Sequence, residues 1–309
     1  MAALLYHMFS SSALVSLGLY NLIASTRCYL KSPHSYSAKP FHPFPPSSSN
    51  TQNHRLRHLP LYLLSVCLLI AFVHQLIVSS DADPLLKGHT PVHRFTSLQS
   101  AAVLFLFLIL SLSLFLSDSS NLLPLPNDLI FALASALFFL QYSVSTSSAS
   151  VQTSDLEAKC DSVSARISAT AALLCLVVAC KPRLFVADVG LGASIILQGL
   201  WVLQTGLSLY VDALIPEGCH RLLDVVNGVE GSTKCDADEF KFRAVAILDL
   251  LFLVHVMFVV VIVMITYAVV AKSVGTRRSG SYEALPNSSS PSESNHSHIQ
   301  MKSLVGTQA

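Results

Sequence analysis

Seven long apolar runs separated by polar stretches dominate the chain, at residues 3–24, 59–79, 98–116, 129–144, 165–180, 184–211 and 244–271. A helix needs about 20 apolar residues to cross the roughly 30 Å hydrocarbon layer of a bilayer, and each run meets or approaches that length. The pattern predicts an all-α fold, an integral membrane bundle of seven transmembrane helices over residues 1–271. The first run resembles a signal peptide, with Ala24-Ser25 as a cleavage site. It has no Lys or Arg before it, however, and its apolar core is longer than such peptides carry, so it is expected to stay as a span. The fifth run is the weakest, 16 residues interrupted by Arg166 and several small polar residues, and only Lys181-Pro182-Arg183 joins it to the sixth, a turn that suits proline.

Composition agrees with a lipid environment. The chain is 52% apolar and 12% charged, where soluble domains carry about 25% charged residues. A net charge of +1 offers no basic face for nucleic acid, and no glycine-rich phosphate cradle follows a strand-like segment. The bilayer itself is the first expected partner.

Lys and Arg set the orientation. Arg27, Lys31, Lys39, Arg55 and Arg57 crowd the first connection, against Lys87 and Arg94 in the second. That places the N-terminus outside and the C-terminus in the cytoplasm. The Pro/Ser-rich segment 25–58 becomes an exposed inner loop whose scattered histidines, His34, His42, His54 and His58, read as solvated rather than metal-binding. Segment 212–243 becomes an acidic outer loop. Within it Cys219 and Cys235 sit 16 apart and can close a disulfide in an oxidising compartment or remain free thiols.

The tail, 272–309, is Ser-rich and polar, the composition of disorder. Tyr282-Glu283-Ala284-Leu285 fits the tyrosine-x-x-bulky-apolar sorting pattern, so Tyr282 and Leu285 are candidates for adaptor binding. The sequons at Asn287 and Asn295 carry no glycan if the tail is cytoplasmic.

Polar side chains at membrane depth are costly and are candidate sites by default. In the sixth span Gln198, Trp201, Thr205, Ser208 and Asp212 recur at helical spacing along one stripe, with Gln204 nearby. They line a cavity or bind a neighbouring helix. Gly192, Gly199 and Gly206 repeat every seven residues on another face, which suits close helix packing, within the bundle or by helix-mediated association. Asp249 and His255 of the seventh span complete the set. Asp249 is expected at the depth of Thr205 and Ser208, giving a candidate polar pocket between spans six and seven. His7, His74, His255 and Asp249 lack the tight pairing of a zinc hydrolase, and no Ser or Cys nucleophile has a recognisable partner. The chain therefore reads as non-enzymatic, with no cofactor and no metal.

Around the sixth span the motif Ile195-Ile196-Leu197-Gln198-Gly199-x-Trp201-x-x-Gln204-x-Gly206 resembles the signature of the transmembrane protein 45 family, whose plant branch is called the plant viral-response family. His7 with Gly18, and Gln99-Ser100, are similar to the family's first and third spans. The family's fourth span usually carries a glutamate and closely spaced histidines. Here Ser135-Ala136-Leu137-Phe138-Phe139-Leu140-Gln141 has neither, so any chemistry those residues perform in relatives is absent. The resemblance implies a multi-pass membrane protein without an established activity, with defence-related and trafficking roles. A scaffold, trafficking factor or signalling accessory is the leading expectation, and a transporter, channel or small-ligand receptor the alternative. The membrane it occupies, plasma membrane or endomembrane, is left open.

Overall fold

A computed structural model describes residues 2–43, 58–80, 92–119, 124–152, 154–224 and 229–279. Seven α-helices make up the bundle: α1 (Ala2–Lys31), α2 (Leu59–Ser80), α3 (Val92–Ser119), α4 (Asn127–Val151), α5 (Asp155–Cys180), α6 (Phe185–Tyr210) and α7 (Asp238–Ser279). All seven are long and apolar enough to cross a membrane. Neighbours pack in the order α2, α3, α4, α5, α6, α1, with α7 lying against α1, α5 and α6. α5 and α6 each bury 44% of their most apolar window, against 22% or less for the other five, so these two form the centre. The outward faces of α2, α3 and α7 carry exposed Leu63, Ile77, Phe105, Leu250, Met257 and Met264, the surface that lipid would cover.

The helices outrun the apolar runs that mark them. Hydropathy stops at the first polar residue, whereas backbone hydrogen bonding continues until a cap intervenes. α5 starts ten residues before the expected 165, because Ser154 caps it and accepts from the Glu157 backbone N–H at 3.4 Å. Ser154-Asp155-Leu156-Glu157 has the spacing of a capping box. The same Ser154 hydroxyl donates to the Thr233 carbonyl at 2.6 Å, tying the α4–α5 turn to the segment before α7.

That segment is more than an acidic loop. After a 3-10 turn at Asp212–Leu214, strands β1 (Cys219–Asp224) and β2 (Val229–Cys235) form an antiparallel hairpin in which Cys219 pairs with Cys235. The two cysteines are joined by a disulfide. Gly218, at φ 80°, makes the entry to β1 in the left-handed region that favours glycine. α7 then begins at Asp238, six residues ahead of the expected apolar run, and continues to Ser279. The first part of the expected tail, 272–279, is therefore helical. Tyr282, Leu285, Asn287 and Asn295 lie outside the described residues.

The first connection departs most from expectation. Residues 25–58 read as an exposed linker, yet α1 continues through Lys31, and Ser25, Thr26, Tyr36, Ala38, His42 and His58 are all buried, none above 6% exposure. His42 and His58 are therefore not solvated loop histidines; His34 is exposed, and His54 lies outside the described residues. Residues 36–43 form an extended strap across one end of the bundle. Ala38 enters the cluster of Phe131, Ala171, Cys175, Val178, Ala187 and Leu191, and its N–H donates to the Pro182 carbonyl at 2.7 Å. Proline explains how such a segment can be buried, since Pro40 and Pro43 bring no N–H that would need a partner.

Candidate functional site

The polar stripe of α6 faces α5, and most of its hydrogen-bonding capacity is used there or within α6. Trp201 is fully buried, and its indole Nε1 donates to the Cys160 carbonyl at 3.0 Å. Gln198 donates through Nε2 to Ser164 Oγ at 2.7 Å, while its buried Oε1 has no partner among the described residues. Thr205 donates to the Trp201 carbonyl, one turn back, and Gln204 to Ser208 Oγ at 2.8 Å. Asp212 lies beyond the end of α6, in the 3-10 turn.

Asp249 does not converge on this stripe. Its carboxylate takes Lys159 of α5 at 2.7 Å. His255 bonds through Nδ1 to the Leu251 carbonyl in its own helix, and its ring stands edge-on to Trp201 at 6.3 Å. Phe252 does the same at 5.7 Å. The space between α6 and α7 expected to hold a polar pocket thus contains the indole of Trp201 and the rings packed on it.

The three glycines form the seat for α1. A Cβ on Gly206 would lie 2.6 Å from the Cβ of His7, and one on Gly199 would lie 2.9 Å from the Val15 backbone nitrogen. One on Gly18 of α1 would meet the Gly192 carbonyl oxygen at 2.9 Å. Hydrogen atoms at these positions let the two backbones touch. His7 and Gly18, eleven apart in α1, thereby oppose Gly206 and Gly192. Further rings close this half of the bundle, with Tyr6 stacked on His74 at 3.7 Å and His7 tilted against Tyr210 at 5.6 Å.

A second polar cluster, at the opposite end, has no counterpart among the expected site residues. Tyr36 Oη donates to Asp188 Oδ2 at 2.5 Å, joining the strap to the first turn of α6. Asp188 is 1% exposed, and its Oδ1 has no hydrogen-bond partner among the described residues. Tyr20 donates to the His42 carbonyl, and Cys28 Sγ lies 3.7 Å from His42 Nδ1. Burial, reinforced by the Asp188 carboxylate, pushes the Tyr36 phenol above its ordinary range. Burial also holds His42 below its ordinary value, with Asp188 opposing that shift and Lys39 adding to it. Nothing in the spacing announces this cluster, because Tyr36 and Asp188 are 152 residues apart. The one local signal is a carboxylate inside the sixth apolar run.

Residues 127–268 match a family of unknown function, DUF716. The DUF716 match runs from the first residue of α4 into α7, so it includes the α6 stripe, the three glycines, the disulfide and Asp188. No curated protein and no solved structure matches the chain. Among the described residues no group of three or more His, Cys, Asp or Glu side chains is placed to hold a metal ion.

Proposed function

We propose that this chain is a non-enzymatic membrane scaffold, a trafficking or signalling accessory that works through its ends rather than through a solute path. The observation that carries this reading is Trp201, fully buried with its N–H on the Cys160 carbonyl. The most polar stripe in the bundle is helix contact there, and a transport path would need those groups turned to water. The resemblance of the α6 motif to the transmembrane protein 45 family supports the same reading and brings the defence-related and trafficking roles with it.

The orientation follows from chemistry at the two ends. The hairpin end carries the Cys219–Cys235 bridge and the acidic Asp236, Asp238 and Glu239, whereas Arg27, Lys31, Lys39, Lys181 and Arg183 gather at the strap end. Disulfides persist in oxidising compartments and basic connections stay cytoplasmic, which supports N-terminus out and C-terminus in. Tyr282 and Leu285 then face cytoplasmic adaptors.

Thiol accessibility tests the packed bundle. Single cysteines replace residues 198, 205 and 208 in a background that keeps only the bridged Cys219 and Cys235, and meet a membrane-impermeant reagent. Protection at all three is expected. Labelling as deep as position 198 would overturn the scaffold and favour a transporter or receptor.

A further inference from the structure

We propose that the strap and the α5–α6 turn together bind the multiply charged phosphate headgroup of an anionic membrane lipid. The inference rests on the seven-span reading, which puts the turn between two membrane helices at headgroup depth, on whichever side it faces.

Three cations converge there from two distant parts of the chain. The hydrogen bond from Ala38 N–H to the Pro182 carbonyl, 2.7 Å, fixes Lys39 beside a turn that has Lys181 on one side of the proline and Arg183 on the other. All three side chains are exposed. None has an ion-pair partner among the described residues, although the cations at the other end do: Lys159 pairs with Asp249, Lys241 with Asp155 and Arg243 with Glu217. The nearby acid, Asp188, is buried and bonded to Tyr36, and among the described residues it makes no ion pair with any of the three.

The turn borders a shallow, open and mostly apolar surface along Lys181, Pro182, Arg183 and Leu184. Leu184 is the N-cap of α6 and has no side chain able to accept from the first-turn N–H groups, and the buried Asp188 carboxylate in that first turn already answers the helix dipole. Tyr29 stacks on Phe185 at 4.0 Å, which seats the last turn of α1 against the start of α6. Unpaired cations from two segments, held side by side at the membrane boundary by the Ala38–Pro182 hydrogen bond, describe a phosphate site whose ligand arrives with its acyl chains in the bilayer.

The test uses the full-length chain in detergent, with lipid-dependent thermal stabilisation as the readout. The probes are dioctanoyl phosphatidylinositol 4-phosphate, dioctanoyl phosphatidylcholine and inositol 1,4-bisphosphate, the soluble headgroup alone. The inositol lipid should stabilise the protein at concentrations where phosphatidylcholine does not. At about 1 kcal/mol per basic residue, which is about fivefold in binding, the triple variant K39Q/K181Q/R183Q should need on the order of a hundredfold more lipid. Lys39→Gln alone, an exposed strap position, should need about fivefold more and serves if the triple variant fails to fold. K241Q/R243Q at the opposite end should respond like wild type. Equal stabilisation by phosphatidylcholine, or wild-type behaviour of the variants at the strap end, would overturn the site. A soluble headgroup acting as strongly as the lipid would overturn it as a lipid site. Carbonate extraction of the same protein from membranes reports separately whether the chain is integral to the bilayer, on which the reading rests.

Discussion

The phenol of Tyr36 donates to the carboxylate of Asp188 at 2.5 Å, and this contact fastens the strap over one end of the bundle to the start of its central helix. Removing the hydroxyl leaves a buried carboxylate without its one described partner, and such an orphan costs about 1–3 kcal/mol or more. Tyr36→Phe should therefore lower the unfolding temperature clearly. The double variant Tyr36→Phe/Asp188→Leu, which removes both partners, should recover part of the loss. Thermal unfolding in detergent measures both, and equal losses in the two would show that the pair is not what holds the strap.

His42 makes the same end sensitive to acid. Burial favours its neutral form, so its value in the folded protein lies below the ordinary 6.5. The unfolded chain then binds a proton more readily than the folded one. The stabilisation is complete above about pH 6.5 and declines as pH falls toward the folded value. His42→Gln, which cannot titrate, should flatten the stability profile below about pH 6.5 relative to wild type. Identical acid profiles would remove His42 as the cause.

Gly199 and Gly206 should tolerate nothing larger than hydrogen. Adding a methyl group at either forces α1 away from α6, at about 1–3 kcal/mol for each overpacked site. Gly275, where a Cβ meets nothing within 4 Å, is the control. Gly199→Ala and Gly206→Ala should lose monodisperse protein on mild heating, and Gly275→Ala should behave like wild type. Fluorescence-detected size exclusion after a heat step reads all three.

The Gln198–Ser164 hydrogen bond should be replaceable. Exchanging both partners for apolar groups of similar shape is often nearly neutral, and here it also removes the buried Oε1 that lacks a partner. Gln198→Leu/Ser164→Ala should therefore unfold within about 1 kcal/mol of wild type. Trp201→Ala should cost about 3–5 kcal/mol by emptying the centre of the α5–α6–α7 core. A double variant as damaged as Trp201→Ala would show that the amide does more than join two helices.

The number and order of the spans were legible because lipid demands long apolar runs, and even the weakest of the seven, interrupted by Arg166, proved to be part of a long helix. Their ends were not. In α5 the stretch from Asp155 to Ser164 looks too polar to belong to a span, yet Cys160 receives the Trp201 indole and Lys159 holds Asp249. Those partners lie on other helices, where a local reading cannot find them. The glycine repeat of α6 announced a close neighbour, and the His7–Gly18 spacing belonged to that neighbour, but only the folded bundle pairs them. The strap cluster was the least visible. A proline-rich stretch with scattered histidines has the composition of an open loop, and its burial depends on Asp188 and Pro182, which follow it by more than a hundred residues.

The seating of α1 on α6 has a consequence for how the protein is made. Gly192 leaves the ribosome 174 residues after Gly18, a delay of roughly 10–35 s at synthesis rates of about 5–20 residues per second. On the seven-span reading α1, with Ser11, Ser25 and Thr26 that end buried in the finished bundle, waits through that interval without α6, its most extensive neighbour. Of the seven helices described, the earliest made is thus among the last to be sheltered. An insertion factor that shields polar residues in newborn spans would have its longest task at the very beginning of this chain.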